Sequence, residues 1–164
     1  MGNARFGRGA VAARTRSGRG FSLLELIVVV AIVAILGAIA APRYSQAIQR
    51  YRLEMAANRV AADIGLAASY ARARGSAATI SFAVSTSTYS IAGLTSTERA
   101  GEAHGVNLSR EPFGVSISSV DFAGTNTLTI KGYGTPSSGG TVRLTLGSQS
   151  KIVSVAATGE VSVQ

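Results

Sequence analysis

The sequence contains no cysteine and no tryptophan, a single histidine, three prolines and only 6% aromatic residues. Without cysteine there is no disulfide framework, no thiolate-ligated zinc and no thiol nucleophile. The absence does not fix the compartment, because a periplasmic domain with a sufficient core needs no disulfides. The lone histidine, His104, falls in a polar stretch with no cluster of acids or imidazoles at metal-ligand spacing around it. It also lacks the patterned acid partner that a nucleophilic triad requires. Acids are scarce as well: 8 Asp and Glu face 16 Lys and Arg, for a formal charge of +8. Such a balance is a feature of nucleic-acid binders. However, the first 20 residues carry five arginines (Arg5, Arg8, Arg14, Arg16 and Arg19) and no acid, and the remainder holds 11 basic against 8 acidic residues, a net of only +3.

Against these absences stands one long apolar run. Residues 21–41 read FSLLELIVVVAIVAILGAIAA, and from Leu26 to Ala41 no side chain is polar. As a helix at about 1.5 Å per residue, this segment spans roughly 31 Å, the thickness of a bilayer core. The arginines before it predict a cytoplasmic N-terminus. A secretory signal peptide has a shorter apolar region of about 7–15 residues that ends at a small-residue cleavage site. Here the helical pattern continues past the run. Pro42 weakens the helix and predicts a kink. From Arg43 to Arg74, Tyr44, Ile48, Tyr51, Met55, Val60, Ile64, Leu66, Ala67 and Tyr70 recur at three- to four-residue intervals among many alanines. Arg72, Arg74 and Gly75 supply a basic last turn and a glycine stop.

Beyond Gly75 the period changes to two. Residues 79–84 and 88–92 predict a hairpin, and 115–120, 127–131, 141–146, 152–156 and 161–163 predict further short strands between Gly-, Asn- and Ser-rich turns. The stretch 93–112 is polar and irregular, which predicts a long loop or a weak strand. The fold class is therefore α+β: a long N-terminal helix, half transmembrane and half amphipathic, packed on a C-terminal antiparallel β-sandwich-like head. The divisions are 1–20 (basic leader), 21–41 (transmembrane helix), 42–75 (amphipathic helix) and 76–164 (β-rich head).

The junction Gly20-Phe21-Ser22-Leu23-Leu24-Glu25-Leu26-Ile27-Val28-Val29 resembles the processing signal of type IV pilins and type II secretion pseudopilins. That signal is a basic leader ending in glycine, then an aromatic residue, then an apolar helix with a glutamate at its fifth position. The resemblance implies cleavage after Gly20 by a membrane prepilin peptidase, N-methylation of Phe21, and pairing of Glu25 with the N-terminal amine of a neighbouring subunit during assembly. Pro42 matches a proline often found just past the apolar run in that family. Physical chemistry agrees: glycine admits an extended backbone to a protease cleft, and a carboxylate near the start of an apolar helix needs a partner in lipid while sitting at the positive end of the helix dipole. The segments Ser69-Tyr70-Ala71-Arg72-Ala73-Arg74-Gly75 and Leu128-Thr129-Ile130-Lys131-Gly132-Tyr133-Gly134, the Gly139-Gly140 turn and the closing hairpin are similar to the minor subunits of the general secretion pathway H / fimbrial T group.

The resemblance implies a structural subunit and not an enzyme, with no cofactor or metal. Such a subunit is anchored by one pass in the bacterial inner membrane, with its head in the periplasm, and assembles into a type II secretion pseudopilus. The alternatives are a minor type IV pilus subunit for biogenesis, motility or adhesion, and a DNA-binding minor pilin. The implied partners are the prepilin peptidase, other pilin subunits, the inner membrane and secreted protein cargo. Nucleic acid is disfavoured, because the basic residues of the head (Arg99, Arg110, Lys131, Arg143 and Lys151) are scattered in sequence and lack interleaved aromatics. Glu98, Glu102 and Glu111 lack the alternating pattern of a calcium loop. The glycines at 132–134 and 139–140 read as hairpin turns and not as a phosphate loop.

Overall fold

An unbroken apolar run followed by an alanine-rich stretch gives one helix, α1, spanning Leu23–Arg74, 52 residues long, with Pro42 inside it. The computed structural model describes residues 20–95 and 103–164. Most of the leader, with its five arginines, lies outside them, as do Glu98, Arg99 and Glu102. The chain divides into two units, Met1–Ala41 and Pro42–Gln164.

In the first unit every described residue from Gly20 to Ala41 is exposed. This is the one helix among the described residues that is long and apolar enough to cross a membrane. The backbone stays helical through Pro42, where the Ser45 hydroxyl donates to the Pro42 carbonyl at 3.0 Å.

The second unit begins with the remainder of α1 and continues into eight strands: β1 (Ala78–Ala83), β2 (Thr88–Thr95), β3 (Ala103–Asn107), β4 (Ser116–Asp121), β5 (Thr127–Ile130), β6 (Gly140–Leu146), β7 (Gln149–Val155) and β8 (Val161–Val163). They form two antiparallel four-stranded sheets, ordered β3-β2-β1-β5 and β4-β6-β7-β8. The chain leaves the first sheet after β3 to add β4 to the second, then returns to add β5 beside β1 before the β6-β7-β8 meander. A tight turn makes this exchange possible. Phe122 and Thr125 bond each other at 3.0 and 3.2 Å around Ala123 and Gly124, and the Asp121 carboxylate accepts from the Gly124 amide at 2.9 Å.

Alternation puts Ile80, Phe82, Tyr89, Ile91, Leu128, Ile130, Val142, Leu144, Val153 and Val155 inside. The helix contributes Leu53, Ala56, Ala57, Val60, Ile64, Ala67 and Ala71 to the same core. Alanine predominates on the helix because the sheets carry the bulky residues and the backbone must come close. Ser87, in a left-handed conformation after the 3-10 turn Val84–Thr86, knits the sheets. Its carbonyl accepts from Leu108 at 2.9 Å, and its hydroxyl accepts from the Ile117 amide at 3.1 Å.

Three sequence expectations need correction or narrowing. First, of the two forms expected for residues 93–112, a long loop or a weak strand, the strand is present: β2 runs to Thr95 and β3 occupies Ala103–Asn107. Polar and small side chains hide this strand, because one face meets solvent and the other carries a histidine. Second, of the two glycine turns only the first is a hairpin turn: around 132–134 the Gly134 amide donates to Lys131 at 2.7 Å, the Lys131 amide donates to Thr135 at 2.8 Å, and Ile130 bridges Pro136 antiparallel, whereas the glycines at 139–140 turn no hairpin. Gly140 opens β6, and the intervening segment carries the chain from one sheet to the other. A Cβ on Gly132 would lie 2.7 Å from the carbonyl carbon and oxygen of Gly75, so the glycine that ends the helix and the glycine after β5 meet backbone to backbone. Third, the apolar periodicity of residues 43–74 describes two faces and not one. Val60, Ile64 and Ala67 are buried, whereas Tyr44, Ile48, Tyr51 and Leu66 are exposed.

Candidate assembly site

The start of α1 is built by its own sequence. Ser22 precedes the first helical residue, and its hydroxyl accepts from the Glu25 amide at 3.1 Å, satisfying one of the donors left unpaired at a helix N-terminus. Ser22-x-x-Glu25 is the spacing of a capping box. That signal was present in the sequence, and the role of Ser22 was missed beside the larger motif. Glu25 lies in the first turn, where the helix dipole favours negative charge. Among the described residues its carboxylate has no ion-pair partner. Gly20 is exposed, and Phe21 is 81% exposed. Gly20, Phe21 and Glu25 thus lie together at an accessible end followed by an apolar helix.

Further along, Tyr44, Ile48, Tyr51 and Leu66 are 70%, 37%, 65% and 43% exposed. At about 100° per residue they fall within roughly 60° of one another. The buried residues Leu53, Ala57, Val60, Ile64 and Ala71 lie on the opposite side of the helix. The segment after Pro42 is therefore apolar on both sides: one is covered by the chain's own head, and the other is uncovered.

The basic residues of this helix are partly tied down. Arg52 pairs with Glu111 at 3.3 Å, so Glu111, once a candidate calcium ligand, is a salt-bridge partner. Glu54 pairs with Lys151 of β7. The Lys151 hydrogen bond holds the exposed Glu54 carboxyl below its ordinary range. No group of acids and imidazoles able to hold a metal occurs among the described residues.

His104 is not in a polar loop. It lies in β3, 6% exposed, with Nε2 3.3 Å from Asp63 Oδ2. The same carboxylate oxygen accepts from the Tyr89 hydroxyl at 2.6 Å and from Arg59 Nε at 3.1 Å. Burial and the bond to Asp63 push the Tyr89 hydroxyl far above the ordinary tyrosine range, so it remains a proton donor. The Arg59 guanidinium is held more firmly protonated by Asp63, against the opposing effect of its own desolvation. These four residues were not grouped from sequence. No local spacing links His104 to Asp63. Its helical position, in phase with Val60 and Ala67, was the available signal, because a buried acid demands partners. All three contacts converge on one carboxylate oxygen, Asp63 Oδ2.

Residues 15–41 match the prokaryotic N-terminal methylation motif. Residues 56–159, well over half of the chain, match the type II transport protein GspH. The chain belongs to the GspH family. The two matches divide close to where the two units divide, and the GspH match opens within the helix segment docked on the head. The fold of this GspH-family chain is similar to that of the type IV minor pilin FimU of Pseudomonas aeruginosa, with a TM-score of 0.52 and 18% identity over 70% of this chain and 90% of that one. It is equally similar to the minor pseudopilin EpsH of the Vibrio cholerae type 2 secretion system, with a TM-score of 0.52 and 12% identity over 69% of this chain and 96% of that one. At these identities the likeness is one of fold. No curated protein matches the sequence.

Proposed function

We propose that this chain is a structural minor pseudopilin, made as a precursor, cut between Gly20 and Phe21, methylated on Phe21, and assembled into a type II secretion pseudopilus. The observation that carries this reading is the uncovered apolar surface of α1. Residues 21–41 are exposed throughout, and the stripe of Tyr44, Ile48, Tyr51 and Leu66 continues that exposure along a segment whose other side is already buried. Surface of this kind is stable in a bilayer before assembly and against other helices after it. The basic leader holds the N-terminus in the cytoplasm and sends the head to the periplasm. Glu25, unpaired among the described residues at the start of α1, is the acceptor for the freed amine of a neighbouring Phe21. In this role the chain catalyses nothing; its partners are the prepilin peptidase, other pilin-like subunits and, through the assembled filament, secreted proteins. A minor subunit of a type IV pilus is the second reading. It is supported by a likeness to FimU as close as that to EpsH, whereas the GspH match favours secretion.

The test is the N-terminal residue and mass of the chain co-expressed with a prepilin peptidase, beside a Gly20→Glu variant. The expected product begins with methylated Phe21 and disappears in the variant. An uncut N-terminus, or cleavage near Ala40 and Ala41, would overturn the filament reading. Deleting the secretion or the pilus machinery in the host, one at a time, then separates the two readings by which loss leaves the subunit unassembled.

A further inference from the structure

The strands of the first sheet are not held down alike. Across their inward faces, register places Leu128 of β5 opposite Ile80 of β1, Ile80 opposite Ile91 of β2, and Ile91 opposite His104 of β3. The row is aliphatic until it reaches the edge strand, where an imidazole replaces the hydrocarbon. His104 is the one buried residue of β3; Val106 and Asn107 are half-buried, and Ala103 and Gly105 are exposed. By contrast, β1 buries Ala78, Ile80 and Phe82, and β5 buries Leu128 and Ile130. Hydrophobic burial, the main term holding a strand to a core, is thus limited in β3 to Val106, half-buried against the core.

Backbone pairing is limited too. Among the described residues β3 bonds only to β2. The ladder is regular from Asn107 to His104, then shifts register, with Thr95 opposite Ala103 and Ala92 to Leu94 unmatched. The far end of the strand is fixed: Leu108 is fully buried, and its amide donates to Ser87 at 2.9 Å. The strand is therefore hinged at Leu108 and fastened near its other end by His104 on Asp63.

That fastening is one-sided. Asp63 keeps the short bond from Tyr89 and the bond from Arg59 whether or not His104 is present. When His104 withdraws, the carboxylate is not orphaned, so the large penalty for an unpaired buried charge does not oppose release. Of the three contacts to Asp63 among the described residues, only the longest, at 3.3 Å, is given up with the ladder.

We propose that β3 is a releasable edge strand, hinged at Leu108 and latched by His104 onto the Asp63–Tyr89 pair, which opens while the rest of the head stays folded. Opening leaves the N–H and C=O groups on that side of β2 unpaired. This inference does not depend on which machine the chain serves.

The experiment is hydrogen exchange, read amide by amide on the full mature chain in detergent micelles, following the amides that pair β2 with β3 against those that pair β6 with β7. In the wild type, the β2–β3 amides are expected to exchange at least about tenfold faster than the β6–β7 amides, at a rate that low urea does not change, the mark of a local opening. His104→Ala is expected to speed the β2–β3 amides by about a further tenfold, the effect of one lost hydrogen bond to a charged group, without moving β6–β7. A Ser90→Cys, Gly105→Cys pair, whose residues face each other across the two strands in a chain with no cysteine of its own, is expected when oxidised to slow the β2–β3 amides to the β6–β7 rate. Three results would each overturn the proposal. They are equal protection of the two ladders in the wild type, an equal acceleration of both by His104→Ala, and fast β2–β3 exchange that persists in the oxidised pair. The second would mean that the network stabilises the whole head, and the third that opening does not involve β3.

Discussion

Two stretches of one helix are both mostly apolar and have opposite fates. Residues 23–41 are exposed throughout, while the stretch from Leu53 to Ala71 is buried on one side among two sheets. The difference lies in residue size and pattern. The first stretch is bulky and branched all around, which suits lipid or a bundle of like helices. The second is alanine-rich on the buried side, which lets a sheet approach closely. What a helix packs on thus follows from the arrangement of large, small and polar residues around it and not from a high apolar content by itself.

Substitutions in each stretch sharpen or break this contrast. Leu53→Ala removes one of the largest fully buried side chains. It should cost the head about 2–5 kcal/mol, read by urea unfolding of the mature chain in micelles, with membrane association unchanged. Ile32→Asp should do the reverse. A carboxylate in mid-run opposes insertion by about 2.5–3.5 kcal/mol, so membrane fractionation should show a loss of the anchored form at constant head stability. A drop in urea midpoint for Ile32→Asp would break the contrast.

A smaller effect concerns pH. The Tyr89 hydroxyl titrates far above its ordinary value of 10.0. The stability it contributes is therefore complete below that value and is lost as pH rises beyond it, because the unfolded chain releases the proton first, by about 1.4 kcal/mol per pH unit. Unfolding of wild type and Tyr89→Phe across this range should show the gap between them closing as pH rises past 10.0. The smallest stability effect belongs to the uncovered stripe. Tyr51→Ala should alter head stability by no more than about 0.5 kcal/mol while lowering incorporation of the subunit into filaments, measured by its share of sheared filament protein.

Much of this was legible beforehand. The period-two segments after Gly75 became strands because alternation fixes which face is inside. The glycine stop held because Gly75 takes a positive φ of 61°, which other residues resist. The processing motif was local and so was visible. His104 and Asp63 were not, since 41 residues separate them and each alone looks like an ordinary surface polar group. β3 was legible only as one of two alternatives, a weak strand or a loop: its inward residue is a histidine, and hydrophobic alternation registers only apolar inward residues. The Lys131-to-Gly134 turn was legible, since Ile130 does bridge Pro136 antiparallel across it, but turn chemistry reports a change of direction without saying which sheet receives the next strand.

The sequence by itself determined the long apolar helix, its capped and acidic start, the basic stretch before it and the α+β order of elements, because these depend on composition and on spacings of a few residues. Only the tertiary structure decided which side of the helix the head covers, how β4 and β5 are exchanged between two sheets, and where a buried carboxylate finds its partners. Those outcomes depend on contacts between residues far apart in the chain, and such contacts form only when every surface competing for burial is present at once.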